Sequence, residues 1–145
     1  MAGLRFDAIN IVIADVGATT EFLQALGLAL EDVPPEWAPH HRGLPADRTD
    51  FDAELDSSVF AEHWGGLPDG FAGVVVNLRT DERDGVDGAY DEALRLGASG
   101  LRAPYDAFWG SRYAVVEAPG PVAVGFMSPP DPARLEPPPE VSEFS

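Results

Sequence analysis

The sequence predicts an α+β fold made of two similar β-α-β-β-β units within a single domain over residues 1–130. Three observations support this prediction. A strand-like apolar run opens each half of the chain, an amphipathic helix pattern follows each run, and the two helices stop at Leu26-Gly27 and Leu96-Gly97, which lie 70 residues apart. Self-similarity at a fixed spacing is typical of a duplicated structural unit. A chain of 145 residues is also long enough to bury one core.

The first unit covers residues 4–64 and opens with a strand over residues 4–14, which are rich in β-branched side chains. Asp15 is the predicted N-cap of the helix that follows. Gly27 ends this helix. Its apolar face is expected to comprise Thr19, Phe22, Leu23 and Leu26.

Three strands are predicted to complete the first unit, over residues 28–30, 48–55 and 58–64, with a loop over residues 34–47. In the second of these strands acidic and apolar residues alternate, so that one face carries Asp50, Asp52 and Glu54. The simplest interpretation of this acidic stripe is a solvated strand face. If the stripe instead bordered a cleft, it would favour cationic ligands.

The second unit covers residues 71–128 and repeats the order of the first. A buried strand is predicted over residues 71–79, and two further strands are predicted over residues 112–117 and 122–128. The helical stripe that follows the first of these strands ends at Gly97 and contains Val86, Ala89, Tyr90, Ala93, Leu94 and Leu96.

Residues 131–145 differ from the rest of the chain in composition. They are rich in proline and poor in apolar side chains. Such a segment buries too little apolar surface to pack independently, so we expect an extended or mobile tail.

Composition excludes several classes of function. The chain contains neither cysteine nor lysine, which rules out disulfides, thiolate metal sites, a cysteine nucleophile and Schiff-base chemistry on lysine. A formal net charge of −16 argues against nucleic acid and against an anionic membrane surface as partners. The same charge would attract a cationic ligand, although it is also typical of a well-solvated acidic surface. The sequence shows neither a signal-peptide pattern nor a membrane-spanning apolar run, so the expected location is the cytoplasm.

Three stretches of the chain carry a resemblance to a known family. They are INIVIADVGATTEFLQALGL (9–28), AYDEALRLGASG (89–100) and PYDAFWGSRYAVVEAPGPVAVGFMSP (104–129). In this order they resemble the vicinal oxygen chelate superfamily, which includes glyoxalases, extradiol dioxygenases and bleomycin-resistance proteins. The resemblance implies a cleft on the concave faces of the curled sheets, and short members of the family commonly form homodimers.

The resemblance also implies where a metal would bind. Metal-using members place His, Gln or Glu ligands on the first and last strands of each unit. Carried over by position, three of these sites fall at Ala8, Gly73 and Gly125, and the fourth strand offers only Glu62 or His63. One or two ligands do not hold a divalent ion, so we expect neither a metal nor another cofactor.

Two adjacent histidines offer a different possible metal site. His40 and His41 follow Trp37 in the predicted loop over residues 34–47. The simpler interpretation is a solvated loop, because no acidic cluster is near in sequence. The alternative is a weak surface metal site formed with a distant aspartate.

Large aromatic and charged residues near the last predicted strand of each unit are the candidates for a ligand pocket. These candidates are Phe60, Glu62, His63, Trp64, Asp106, Phe108, Trp109 and Arg112. The aromatic residues would form walls and the charged residues would anchor the ligand, while His63 is either a core residue or a pocket base. The structural alternative is that Phe108 and Trp109 plug the core while Asp106 pairs with Arg112.

These observations predict a metal-independent binding protein of the bleomycin-resistance type, which sequesters a small organic ligand in the cleft between the units. The negative net charge favours a cationic ligand. The first alternative is a metal-dependent enzyme similar to glyoxalases or dioxygenases, with a non-standard site at Glu62 or His63. The second alternative is an interaction module whose cleft is vestigial. No Gly-x-Ser-x-Gly turn or Gly-x-Gly-x-x-Gly loop occurs, so catalysis has no sequence motif to support it.

Overall fold

The computed structural model describes residues 3–25, 27, 29–44, 52–119 and 121–140. In chain order its elements are β1 (Arg5–Ile13), α1 (Val16–Ala25), a 3-10 turn (Pro35–Trp37), β2 (His41–Leu44), β3 (Asp52–Ser57), α2 (Ser58–Gly65), β4 (Gly73–Arg79), α3 (Gly85–Arg95), β5 (Ser99–Asp106), β6 (Arg112–Ala118), β7 (Val122–Met127) and a second 3-10 turn (Pro132–Arg134). None of the described helices is long and apolar enough to cross a membrane.

The seven strands form one open mixed sheet in the order β2-β3-β1-β4-β7-β6-β5. The first strand of each unit runs parallel to the last strand of the same unit, as β1 with β3 and β4 with β7. The antiparallel pair of β1 and β4 joins the two units at the centre of the sheet. The pairing pattern therefore repeats in the two halves, and the predicted α+β fold with a duplicated unit is confirmed.

Two clusters of buried side chains cover opposite faces of the sheet, because neighbouring residues of a strand point to opposite faces. On one face α3 packs Val86 and Ala89 against Ala114, Val116 and Phe126. On the other face α2 packs against the central strands. This second cluster includes Phe60, Ala61, Trp64, Val75, Tyr113 and Val115, and the sheet face beneath it also carries the candidate site.

The prediction of a strand over residues 58–64 is wrong, because these residues form α2. The Ser57 hydroxyl caps the helix by accepting a hydrogen bond from the Phe60 N–H at 3.2 Å. Gly66 ends it in the left-handed conformation, with φ of 64°. The last strand of the first unit is therefore β3, which moves the fourth-strand position away from Glu62 and His63.

The first unit departs from the prediction in two other places. β2 lies inside the predicted loop over residues 34–47, whereas Ala29 and Leu30 belong to no strand. Of the residues named in these predictions, Leu26, Leu28 and Asp50 lie outside the described residues. The expected apolar face of α1 is wrong at Phe22, which is 64% exposed. Thr19 and Leu23 of that face are half-buried, and the buried residues of the helix are Val16 and Thr20.

Other local predictions are confirmed. The Asp15 carboxylate caps α1 by accepting a hydrogen bond from the Ala18 N–H at 2.9 Å. The buried residues of α3 belong to the predicted stripe, and Gly97 follows the helix with φ of 106°. The tail, for which an extended or mobile segment is expected, contacts the domain at its start, where the Glu136 N–H donates to the Phe108 carbonyl at 2.9 Å.

Candidate functional site

A cavity of about 350 Å³ lies on the face of the sheet that α2 covers, between the central strands, α2 and the turn that carries Trp37. Its walls are aromatic: Trp37, Phe60, Trp64, Phe108, Trp109 and Tyr113. Its polar lining comes from His63 of α2 and from six strand residues: Asn10, His41, Asp52, Glu54, Asp56 and Asn77. This volume is sufficient for a small organic molecule.

The aromatic side chains hold one another in edge-to-face contacts. The ring of Trp37 lies 5.0 Å from that of Phe60 and 6.0 Å from that of Phe108, measured between centroids. Trp109 makes equivalent contacts with Phe108 at 5.2 Å and with Tyr113 at 5.5 Å. Such contacts restrict ring rotation, so the wall presents a defined surface to a ligand.

A chain of hydrogen bonds crosses the polar floor of the cavity. The Tyr113 hydroxyl donates to Asn77 Oδ1 at 2.7 Å, and Asn77 Nδ2 donates to Asn10 Oδ1 at 2.6 Å. Asn10 Nδ2 donates in turn to Asp56 Oδ2 at 2.5 Å. The other oxygen of Asp56 lies 2.7 Å from His41 Nδ1. The donors therefore point along the chain from Tyr113 toward Asp56, whose carboxylate is the terminal acceptor and contacts Asn10 and His41.

Strand register brings these residues together. His41 on β2 and Asp56 on β3 are direct cross-strand partners. Glu54 lies two residues before Asp56 and therefore on the same face of β3. Its Oε2 is 3.6 Å from His41 Nε2, while the Asp56 side chain is almost fully buried beneath both.

Gly125 on β7 leaves the room that the chain of hydrogen bonds needs. The Tyr113 side chain passes over β7 to reach Asn77, the partner of Gly125 on β4. A Cβ atom at Gly125 would lie 2.2 Å from Asn77 Oδ1 and 2.6 Å from the Tyr113 hydroxyl. Neither distance is compatible with a side chain, so the hydrogen bond and a residue larger than glycine exclude each other.

The electrostatic environment shifts several proton affinities. Burial alone would lower the pKa of His41. However, the hydrogen bond to Asp56 and the negative charges of Asp56, Glu54 and Glu31 outweigh burial and raise this pKa above 6.5. Burial also raises the pKa of Glu54, although the nearby His41 partly offsets that effect. The pKa of the Tyr113 hydroxyl is raised well above its ordinary value, mainly by burial.

Five of the eight candidate ligand residues line the cavity. They are Phe60, His63, Trp64, Phe108 and Trp109. These residues come from α2 and from the loop before β6, although the sequence placed the first group on a strand.

The remaining three candidates, Arg112, Asp106 and Glu62, lie outside the cavity lining. Arg112 donates two hydrogen bonds to Asp87, at 2.9 and 3.0 Å, and one to Asp106 at 3.2 Å. Asp106 also accepts from Arg83 at 2.7 Å. Arg112 and Asp106 thus form the structural ion pair that the sequence offered as the alternative. Glu62 is exposed on α2.

The described part of the acidic stripe borders the cavity, as the alternative interpretation expected, and Asp52 is exposed as well. Asp52 and Glu54 of the stripe line the cavity together with Asp56. Alternation in the sequence signalled that these acids share a face. Only the pairing of β3 between β1 and β2 shows which face is enclosed. No sequence signal pointed to Asn10 or Asn77, which lie 67 residues apart and meet only through the β1 and β4 pair.

The two histidines of the predicted loop take different positions. His41 lines the cavity, whereas His40 stacks on Phe60 at 4.9 Å and its Nδ1 lies 2.8 Å from the Ser57 hydroxyl. Burial lowers the pKa of His40. His41 therefore belongs to the cavity lining, whereas His40 supports it from behind through Phe60 and Ser57.

The residues at the metal positions implied by the resemblance do not fit an ion. Ala8, Gly73 and Gly125 offer no ligand atom, and a carboxylate at Gly125 would displace the bond between Tyr113 and Asn77. Across the described parts of the chain, one group of metal-ligand side chains comes together: the ligand atoms of His41, Glu54 and Asp56 all lie within 4.8 Å of one another.

No protein-family model and no curated protein matches the chain. Solved structures match its fold. A glyoxalase/bleomycin resistance protein/dioxygenase superfamily member from Vibrio splendidus aligns with a TM-score of 0.57 at 15% identity, over 87% of this chain and 99% of its own. A methylmalonyl-CoA epimerase from Streptomyces coelicolor aligns with a TM-score of 0.56 at 21% identity, over 94% and 100%.

Another similar structure is described as a NAD-dependent benzaldehyde dehydrogenase from Legionella pneumophila. It aligns with a TM-score of 0.58 at 11% identity, over 83% of this chain and 96% of its own. Identities this low establish the fold and leave activity open. The chain therefore has the vicinal oxygen chelate fold, as the sequence motifs indicated.

Proposed function

We propose that this protein binds a small organic cation in its cavity without a metal ion, in the manner of a sequestering, bleomycin-resistance-type protein. The observation that carries the proposal is a cavity lined both by aromatic rings and by carboxylates. Indole and phenol rings attract cations through their negative faces. Asp52 and Glu54 add formal negative charge at the same cavity.

The lining favours a cation over an anion. Among the described residues no arginine lines the cavity, and the sequence contains no lysine. An anionic ligand would meet carboxylates, and the described lining offers only the imidazoles of His41 and His63 as groups that can carry a positive charge. The net charge of −16 acts in the same direction at long range and raises the local concentration of cations.

The size and shape of the cavity also favour binding over a vestigial cleft. It encloses about 350 Å³, within the range of small-molecule sites. The tryptophan side chains that line this volume provide apolar contact area at little entropic cost, because their rings are already held by their neighbours.

The proposal can be tested with two ligands of similar shape and different charge. Binding of 2-phenylethylammonium and of 2-phenylethanol should be compared by calorimetry in the presence of a chelator. The cation is expected to bind about tenfold more tightly, as for one charge-assisted hydrogen bond. Glu54→Gln should remove most of this preference. Glu62→Gln changes the net charge equally outside the cavity and should leave the preference intact. Equal binding of both ligands would contradict the proposal.

A metal-dependent enzyme is the second candidate, because one observation favours it: the convergence of His41, Glu54 and Asp56. A transition-metal ion prefers this mixture of imidazole and carboxylate ligands. Thermal unfolding of chelator-stripped protein with Ni²⁺, Zn²⁺, Mn²⁺ or Fe²⁺ tests this candidate. A stoichiometric stabilisation that Glu54→Gln abolishes would replace the metal-independent proposal.

Two further expectations belong to the same proposal. We infer a homodimer, which the resemblance to short members of the fold implies and which sedimentation would test. We also infer action in the cytoplasm, where sequestration would lower the free concentration of a harmful compound by mass action.

A further inference from the structure

We propose that the cavity selects a protonated primary or secondary amine over a quaternary ammonium ion, because His41 Nε2 and the Glu54 carboxylate accept hydrogen bonds from the ligand N–H groups. This inference rests on the proposed function and names the class of cation. Three features of the polar end of the cavity support it.

The first feature is the tautomer of His41, which the hydrogen-bond chain determines. Asn77 donates to Asn10 Oδ1, so the amide nitrogen of Asn10 faces Asp56 and donates to it. Asp56 thus acts as an acceptor through both oxygens, and His41 must place its proton on Nδ1 to donate to the second one. In the neutral ring, Nε2 therefore carries the lone pair.

The second feature is the spacing between His41 Nε2 and Glu54 Oε2. The two atoms lie 3.6 Å apart, which is too long for a good direct hydrogen bond. An ammonium nitrogen that lies beside the pair, about 2.9 Å from each atom, can donate one N–H to each. Both side chains are partly exposed, with 22% and 42% of their surfaces accessible, so a ligand can reach both acceptors.

The third feature is that these groups lie on one wall of the cavity that the aromatic rings enclose. The aromatic rings attract ammonium ions of every degree of substitution. A quaternary ion has no N–H bond, and its methyl groups hold the positive nitrogen away from both acceptors. Selectivity between the two kinds of cation therefore reports the polar end of the cavity and is insensitive to the aromatic part.

The test compares 2-phenylethylammonium with trimethyl(2-phenylethyl)ammonium, and uses 2-phenylethanol as the neutral control. Binding is measured by calorimetry on the full chain with a chelator at about pH 8, where an aliphatic amine is protonated and His41 is more deprotonated than at neutral pH. The primary ammonium ion is expected to bind at least about tenfold more tightly than the trimethyl ion, as for one or two charge-assisted hydrogen bonds. In His41→Phe, which keeps a planar ring without an acceptor, this ratio is expected to fall severalfold.

Each outcome has a defined meaning. If the trimethyl ion binds as tightly as the primary ion, and both bind more tightly than the alcohol, the selectivity inference is overturned and the proposed function stands. If neither cation binds more tightly than the alcohol, both are overturned. The comparison in the wild-type protein decides the matter even if His41→Phe fails to fold.

Discussion

Replacing Gly125 by alanine should destabilise the protein by about 2–5 kcal/mol, because the new methyl group and the hydrogen bond between Tyr113 and Asn77 need the same space. The added Cβ would lie 2.2 Å from Asn77 Oδ1, where ordinary contacts begin at 3.4 Å. An atom must therefore move by about 1.2 Å inside a close-packed core. The Tyr113 and Asn77 side chains are both buried, so breaking their bond leaves two polar groups without a partner.

Urea unfolding measures this loss as a shift of the midpoint at constant slope. Gly100→Ala in β5 is the matched control. Its Cβ would also lie 2.2 Å from an oxygen, that of Tyr90, but this hydroxyl is the end of a partly exposed side chain that can rotate away. The control should cost less than about 1 kcal/mol. Similar losses for the two variants would refute the explanation.

A double variant separates the hydrogen bond from simple crowding. Tyr113→Phe removes the hydroxyl that Gly125→Ala would crowd and the donor that it would strand. The two substitutions should therefore be less than additive, with a coupling of about 1 kcal/mol or more. Strict additivity would show that Gly125 matters for a reason unrelated to the chain of hydrogen bonds.

Three further predictions follow from the site. Trp109→Ala should abolish binding of 2-phenylethylammonium, measured by calorimetry. Its loss of stability in urea should be smaller than the several kcal/mol that a core truncation costs. A large loss of stability with binding retained would show that the ring only fills the core. Arg112→Ala should leave the affinity for 2-phenylethylammonium unchanged and lower the free energy of unfolding by about 1 kcal/mol, because the ion pairs of Arg112 are partly exposed and lie outside the cavity. A loss of affinity would show that Arg112 takes part in ligand binding. Because the pKa of His41 is raised in the folded protein, its protonation should stabilise the fold fully below its unfolded value of about 6.5. That contribution should disappear as the pH rises through the folded value, and urea midpoints of wild type and His41→Gln should converge there; parallel curves would contradict the raised pKa.

The sequence predicted the fold where long apolar runs and helical stripes determine it. β1, α3, β6 and β7 were found because each combines a strong pattern with a clear stop signal. The stretch Ser58–Gly65 misled because it is only eight residues long. Over that length, strand alternation and a helical set at positions 60, 61 and 64 fit equally well, and the Ser57 cap decided the outcome.

The candidate site was only half predictable for a related reason. Aromatic walls could be proposed from local composition, because Trp64, Phe108 and Trp109 lie in aromatic-rich stretches. The polar floor depends on strand register instead. Asn10 and Asn77 are ordinary strand residues until the pairing of β1 with β4 makes them neighbours. The acidic stripe on β3 would be a solvated surface on an open face of the sheet, but it becomes part of a site because this face lines the cavity.

The last strands of the two units, β3 and β7, contribute opposite chemistry to the same face of the sheet. β3 carries three carboxylates there, whereas the corresponding face of β7 carries Ala123, Gly125 and Met127. A scaffold with approximate two-fold symmetry thus encloses a cavity with a negative pole at the first unit and an uncharged pole at the second. Under the proposed function, a ligand with one positive end would therefore bind with that end toward β3 and its uncharged end toward β7.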